Sequence, residues 1–248
     1  MLPVVGSVTV AAPLIVKVAS EASLTSATDA LAARGHPVIR LRWRDLDDLG
    51  GEVMRWSIAT SLVAAALQVN PFDEPDVQSS KDRTDGLLDR YAREKRVPLP
   101  TSQVTETDGR VFGDWLKQVG AGDYVAVLSF LPRSATLDEA LTSLRDDLAK
   151  ATKAPTILSY GPRYLHSIGQ LYKGGPASGV FLVLTADDPV DCPIPGEPYS
   201  FSVLKRAQAV GDYQALQERQ RRVLMMHLGQ SPEAGLSRLA ARVRSRAT

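Results

Sequence analysis

The sequence predicts an α/β fold, with parallel strands in one or more sheets and helices on both faces. Three observations predict it. Short apolar runs rich in β-branched residues recur at residues 14–19, 124–130 and 179–185 and alternate with stretches of helical periodicity. Those runs are nearly continuously apolar rather than alternating, which marks strands covered on both faces. A strand, a helix and a second strand follow one another within residues 14–41, the size of a βαβ unit with its right-handed crossover.

The elements follow in order. Residues 14–19 (Leu-Ile-Val-Lys-Val-Ala) read as a buried strand. Residues 23–34 place Leu24, Ala27, Leu31 and Ala32 on one helical face, and Gly35 closes that helix. Residues 36–41 form the returning strand. Residues 49–69 form a long helix in which Val53, Trp56, Ala59, Thr60, Val63, Ala64 and Leu67 recur at helical spacing. Its second half is apolar nearly all round and is expected to lie buried against the sheet. Pro71 and Pro75 bracket a rigid turn. Asp76 is expected to cap a helix running through Lys81 to about residue 93.

Residues 96–111 form a polar connector, with a hairpin predicted around Asp108-Gly109. The pattern then restarts with a strand at 124–130, a helix at 137–152 and a strand at 155–160. A Gly161-Pro162-Arg163 turn leads to a helix near 165–171 and a Gly-rich loop. Next come a strand at 179–185, a proline-rich loop at 187–199 and two helices, about 202–209 and 212–228. This divides the chain into a unit at 1–95 with the Lys81 helix, the connector, a second unit at 112–230 with His166 and Lys205, and a tail at 231–248. Lys81 and Lys205 hold comparable places, which suggests two similar halves.

Composition removes several function classes. Among 248 residues, 44% are apolar and 23% charged, as in ordinary globular proteins. A formal net charge of +1 gives no electrostatic reason to expect nucleic acid or an anionic membrane as partner. The one basic cluster, Arg238, Arg242, Arg244 and Arg246, reads as a solvated helix end. Cys192 is the sole cysteine, so no intrachain disulfide forms, which fits a reducing compartment. No histidine stands near it in sequence to activate it. No apolar run reaches the ~18 residues of a membrane span, and Lys17 interrupts the apolar N-terminus where a signal peptide would continue. The expectation is a cytoplasmic protein.

Four stretches are long and compositionally unusual. They are Asn70-Pro-Phe-Asp-Glu-Pro-Asp-Val-Gln-Ser-Ser-Lys81, Leu49-Gly-Gly-Glu-Val-Met-Arg-Trp56, Tyr160-Gly-Pro-Arg-Tyr-Leu-His-Ser-Ile-Gly-Gln-Leu-Tyr-Lys-Gly-Gly-Pro176 and Leu204-Lys-Arg-Ala-Gln-Ala-Val-Gly-Asp212. Together they resemble the phosphoglucose isomerases, in particular the C-terminal part of the bifunctional transaldolase/glucose-6-phosphate isomerases. The similarity covers roughly residues 35 to 230. It implies a sugar-isomerase fold, interconversion of glucose 6-phosphate and fructose 6-phosphate, a place in glycolysis and gluconeogenesis, no cofactor, and a homodimer. Nothing in the chain resembles a transaldolase barrel.

The family's phosphate-binding first subdomain has no counterpart here, so the resemblance implies a companion isomerase or transaldolase chain. The sequence also departs from the pattern. Glu74 stands where the family has glutamine, which puts a carboxylate close to a phosphate dianion. Ser57 replaces a common acid. These departures favour the alternative of a non-catalytic, sugar-phosphate-binding regulatory or assembly module.

Aldose–ketose isomerisation needs an acid or base at the ring oxygen, a base to carry a proton between C1 and C2, and a cation beside the enediolate. Lys81 falls at the family's active-site lysine; without the resemblance it is an ordinary solvated lysine. His166, followed by Gln170-Leu171, resembles the family's ring-opening run; otherwise it is a helix-end histidine. Arg163, on its Gly-Pro-Arg turn, suits a phosphate or a surface acid. Lys173, in Lys-Gly-Gly-Pro, lies in an anion-binding or merely connecting loop, and Lys205 mirrors Lys81. Glu74 and Gln170 complete the predicted substrate contacts. No carboxylate is identified as the base, and Glu52 reads as a helix-dipole partner. No Cys/His cluster suggests a metal.

Overall fold

The computed structural model describes residues 15–17, 22–41, 45–97, 104–105 and 109–247. The chain divides between Asp73 and Glu74 into two compact units.

The first unit contains the predicted βαβ. Strand β1 (Ile15–Lys17) pairs in parallel with β2 (Val38–Arg40), Val16 opposite Ile39, and helix α1 (Ala22–Ala33) connects them. Gly35 ends α1 with a φ of +83°, the left-handed conformation that glycine adopts without strain. Helix α2 (Asp48–Leu67) follows. Its predicted burial is not observed. Val53, Met54, Trp56, Ile58, Leu62, Val63 and Leu67 are all exposed, and only Glu52 and Ala64 are buried. Helical periodicity grouped these side chains around the axis, but among the described residues the two strands of this unit are three residues each and do not cover them.

The second unit is built on five parallel strands in the order β3-β7-β6-β4-β5. They are β3 (Val104–Thr105), β4 (Tyr124–Ser129), β5 (Thr156–Tyr160), β6 (Gly179–Thr185) and β7 (Arg222–His227). The fold class read from sequence holds. Strand β6 is buried along its whole length because both its neighbours and both faces are covered. On one face Val125, Val127, Leu182 and Leu184 pack against α4 (Gly109–Leu116), α5 (Ala135–Thr152) and α8 (Pro232–Ala247). On the other, Ala126, Leu128, Phe181 and Val183 pack against α3 (Pro75–Glu94), α6 (Gly169–Gly174) and α7 (Phe201–Glu218).

Several expectations change. The Lys81 helix, α3, belongs to this second unit and lies along α7, which carries Lys205; the two lysine helices lie side by side in one layer of one domain. Helix α3 begins at Pro75, so Asp76 lies inside the first turn and Glu74 takes the cap position without a side-chain capping bond. The hairpin expected at Asp108-Gly109 is not formed at Gly109, which opens α4; Asp108 lies outside the described residues.

Residues 202–228 are one helix and a strand rather than two helices. Helix α7 continues through Gly211, where an added Cβ would stand 2.8 Å from Thr84 Oγ1 and 3.1 Å from Thr84 N, so glycine lets α3 approach closely. Arg222-Val-Leu-Met-Met-His227 pairs with β6 and is a strand, because sheet pairing outweighs its local helical pattern. The Arg-rich tail is α8, whose Leu236, Leu239 and Val243 are buried beside α5, with Arg244 bonded to Asp147 at 2.6 Å.

At the amino end of the sheet, Asp123 accepts two bonds from Arg222, at 2.7 and 2.8 Å. This guanidinium holds the Asp123 carboxyl below its ordinary 3.8, with burial opposing. The folded value is depressed, so the pair stabilises the fold above about pH 4 and loses that contribution as pH falls through the lower folded value. Arg222→Ala is expected to weaken the acid dependence of stability, read as a smaller difference in urea midpoint between pH 7 and pH 3. An unchanged difference would count against this pair.

Candidate functional site

In open parallel sheets, ligands gather at the carboxyl ends of strands, where successive connections leave toward opposite faces. Here that place lies between β4 and β6, since β4 leads into α5 on one face and β6 into α7 on the other. Three loops frame it: residues 130–134, 161–168 and 186–200.

After β4, Ser134 caps α5 by accepting a bond from Leu137 N at 3.2 Å. Arg133 lies over the Tyr160 ring, 4.0 Å from its centroid, and donates to Asp138 at 2.8 Å. Tyr160 OH donates to the same carboxylate at 2.8 Å. The Arg133 bond first, then the Tyr160 bond, holds Asp138 below the usual carboxylate range.

After β5, Gly161 donates to Ser129 O at 2.9 Å, and the Gly161-Pro162 peptide is cis. A short 3-10 turn, Arg163–His166, follows. Tyr164 and Leu165 point into the core while Arg163 and His166 are exposed. In a 3-10 turn residues i and i+3 eclipse, so Arg163 and His166 share one side of it. Neither makes a side-chain hydrogen bond or ion pair among the described residues.

After β6, the cations are already engaged. Lys205 pairs with Asp188, and Arg206 with Asp187 at 3.1 Å. His227, at the end of β7, stands 3.4 Å from Asp187 through Nε2 and 3.1 Å from Thr185 Oγ1 through Nδ1. His227 is thus a strand residue, not a helical one.

Lys173 is the clearest departure from expectation. Rather than lying in an open glycine loop, it is fully buried on α6, with Nζ 2.5 Å from Asp212 Oδ1. Asp212, equally buried in the middle of α7, also accepts bonds from Ser80 Oγ at 3.3 Å and from the Tyr164 hydroxyl. Burial and the Asp212 charge push the Tyr164 phenol well above its ordinary value. One carboxylate therefore ties together α3, α6, α7 and the 3-10 turn.

A second tie lies at the start of α3. Gln170 donates to Asp76 Oδ2 at 2.7 Å and accepts from Asp76 N at 3.0 Å, and Arg219 donates to Asp76 Oδ1 at 2.5 Å. The family-like segment ending at Lys81 and the segment 160–176 are thus neighbours in space. The meeting points are Asp76 with Gln170 and Ser80 with Asp212, however, not the predicted site residues. Lys81 and Glu74 are both exposed, and no ion pair joins them among the described residues. No such bond joins Lys81 to Arg163, His166 or Lys205 either.

Sequence reasoning missed Asp212, Asp76 and Tyr164. One signal was available. Asp212 stands between Ala209-Val-Gly211 and Tyr213, among small and apolar residues, and a buried acid requires a partner. Among the described residues, no group of His, Cys, Asp and Glu is arranged to hold a metal ion. No helix among them is long and apolar enough to cross a membrane.

No protein-family model matches the chain, and no curated protein does. Among solved structures, a hypothetical protein, TT0462, from Thermus thermophilus aligns over 94% of this chain at 12% identity, with a TM-score of 0.46. The chain spans 56% of that protein's length.

Proposed function

We propose that the chain is part of a sugar-phosphate isomerase and binds a hexose phosphate at the carboxyl edge of the second unit's sheet. The observation that carries this is the pair Arg163 and His166, exposed on one side of the turn after β5 and without partners among the described residues. A guanidinium offers paired donors in a plane that fits two phosphate oxygens. An imidazole one turn away is suited to exchanging a proton with a ring oxygen. Asp212 fixes the turn through the Tyr164 hydroxyl, so the two groups are held in place rather than swinging on a free loop.

Isomerisation further requires a base to lift the C2 proton and return it at C1. In this reading the base comes from a companion chain, as does the phosphate-binding subdomain. Lys81 and Lys205 line the approach in this reading, Lys205 after exchanging Asp188 for the ligand.

A second reading, binding without turnover, is supported by one specific observation. Lys173, expected at the ligand, is sealed against Asp212, which leaves the turn with fewer charges than catalysis demands.

Arg163→Ala is expected to weaken glucose 6-phosphate binding by roughly 10- to 150-fold, the equivalent of about 1.5–3 kcal/mol for bonds to a charged group. Titration calorimetry measures it, with inorganic phosphate as a control. Interconversion of glucose 6-phosphate and fructose 6-phosphate by the chain together with a companion chain, lost in His166→Gln, supports catalysis. Binding with no interconversion even with that companion present supports the second reading, and no binding rejects both.

A further inference from the structure

Both polar atoms of the Gln170 amide are engaged by one residue. Oε1 accepts from Asp76 N at 3.0 Å, and Nε2 donates to Asp76 Oδ2 at 2.7 Å. Two bonds to a single partner fix orientation as well as distance. The contact also answers a need of α3. Pro75 opens that helix and has no N–H, so Asp76 N is its first free donor; Val77 N and Gln78 N both bond to Glu74 O. Glu74 makes no side-chain capping bond. Gln170, 94 residues further along the chain, supplies the acceptor that a local cap would.

The surroundings are shaped to this contact. Asp76 is 3% exposed, and its second carboxylate oxygen accepts from Arg219 at 2.5 Å. A Cβ on residue 174 would lie 2.6 Å from both Asp76 Oδ2 and Gln170 Nε2, so glycine leaves the room that the pair needs. A Cβ on residue 169 would stand 3.4 Å from Val77 Cγ2 and 3.3 Å from Leu165 Cδ2, so α3 and the 3-10 turn close on the same glycine. Lys81 follows Asp76 by five residues on α3, about 7.5 Å along the axis. A rigid helix carries the setting of its first turn to that lysine. We infer that Gln170 is a positioning residue, which acts through Asp76 to set where Lys81 stands relative to Arg163 and His166. The placement is a property of the free protein; its effect on binding rests on the sugar-phosphate reading.

Dipolar electron paramagnetic resonance tests the placement without ligand. Spin labels on Lys81→Cys and Arg163→Cys, in a Cys192→Ser background, are expected to give one narrow distance distribution. Gln170→Ala is expected to broaden or shift it, with circular dichroism showing that the chain still folds. Exchanging the two side chains, Gln170→Glu with Asp76→Asn, keeps a donor and an acceptor for each bond and is expected to restore the distribution. Gln170→Glu alone, which sets two carboxylates together, is not. An unchanged distribution in Gln170→Ala, or no recovery on exchange, overturns the inference. Titration calorimetry, at a temperature where every variant is folded, reads the consequence. Lys81→Ala is expected to weaken glucose 6-phosphate binding by about tenfold in the wild type and by about twofold or less in Gln170→Ala, because a displaced lysine has little contact left to lose. A clamp that only stabilises the fold leaves the Lys81→Ala effect the same in both, and that result also overturns the inference. A wild type that binds no glucose 6-phosphate rejects the sugar-phosphate reading instead, and the spin-label distances still decide the placement.

Discussion

Asp212→Ala is expected to lower the thermal midpoint of the second unit by on the order of 10 °C. The reason is asymmetric. The native Lys173–Asp212 pair is fully buried, and a matched buried pair stabilises little beyond what apolar packing would. Removing the aspartate alone leaves an ammonium in the core and the Tyr164 hydroxyl without its acceptor. Breaking a buried pair in this way costs about 3–5 kcal/mol, and a domain of this size shifts by roughly 2–4 °C per kcal/mol. Combining Lys173→Met with Asp212→Leu is expected to recover most of the loss, because no charge then remains inside. Differential scanning calorimetry on the single and double variants checks both statements. A double variant no more stable than Asp212→Ala would contradict this account of the pair.

Gly161→Ala is the second large effect. A Cβ on residue 161 would lie 2.3 to 2.6 Å from three atoms of the Phe130 ring. That ring is itself buried and packs edge-on against Tyr164, with centroids 6.1 Å apart. Neither side can yield cheaply, since the interior is close-packed. Overpacking of this kind costs typically about 1–3 kcal/mol. Strain relieved by moving residue 161 also displaces the turn that carries Arg163 and His166. The expected result is therefore lower stability together with weaker sugar-phosphate binding, and Phe130→Leu should restore both in part. Calorimetric unfolding and ligand titration on the three variants measure this. Full stability and full binding in Gly161→Ala would show that the glycine is not required there.

The fold was legible where one signal dominated. Continuous β-branched runs marked β4 and β6 because both strands are covered on two faces. Strand β7 was not legible. Its Met225-Met226 core carries little strand propensity, and pairing with β6 decides its conformation. The first unit shows the converse limit. The period of α2 was read correctly, but a period says which residues share a face, not whether that face is covered. At the proposed site, Arg163 and His166 stand out in sequence because they lie in a turn of unusual composition. Lys173 misled because a lysine beside two glycines reads as an open loop, and its partner Asp212 lies 39 residues further along the chain. Long-range ionic pairs leave no local periodicity by which to find them.

The proposed ligand site rests on Arg163 and His166. The chain has only three histidines, His36, His166 and His227, so imidazole proton resonances can be assigned one by one with His→Gln variants. On titration with glucose 6-phosphate, the His166 signals are expected to move in a saturable way while those of His36 stay fixed, and Arg163→Ala is expected to abolish the movement. His166 signals that remain still at millimolar ligand, or that move equally in Arg163→Ala, would contradict the claim.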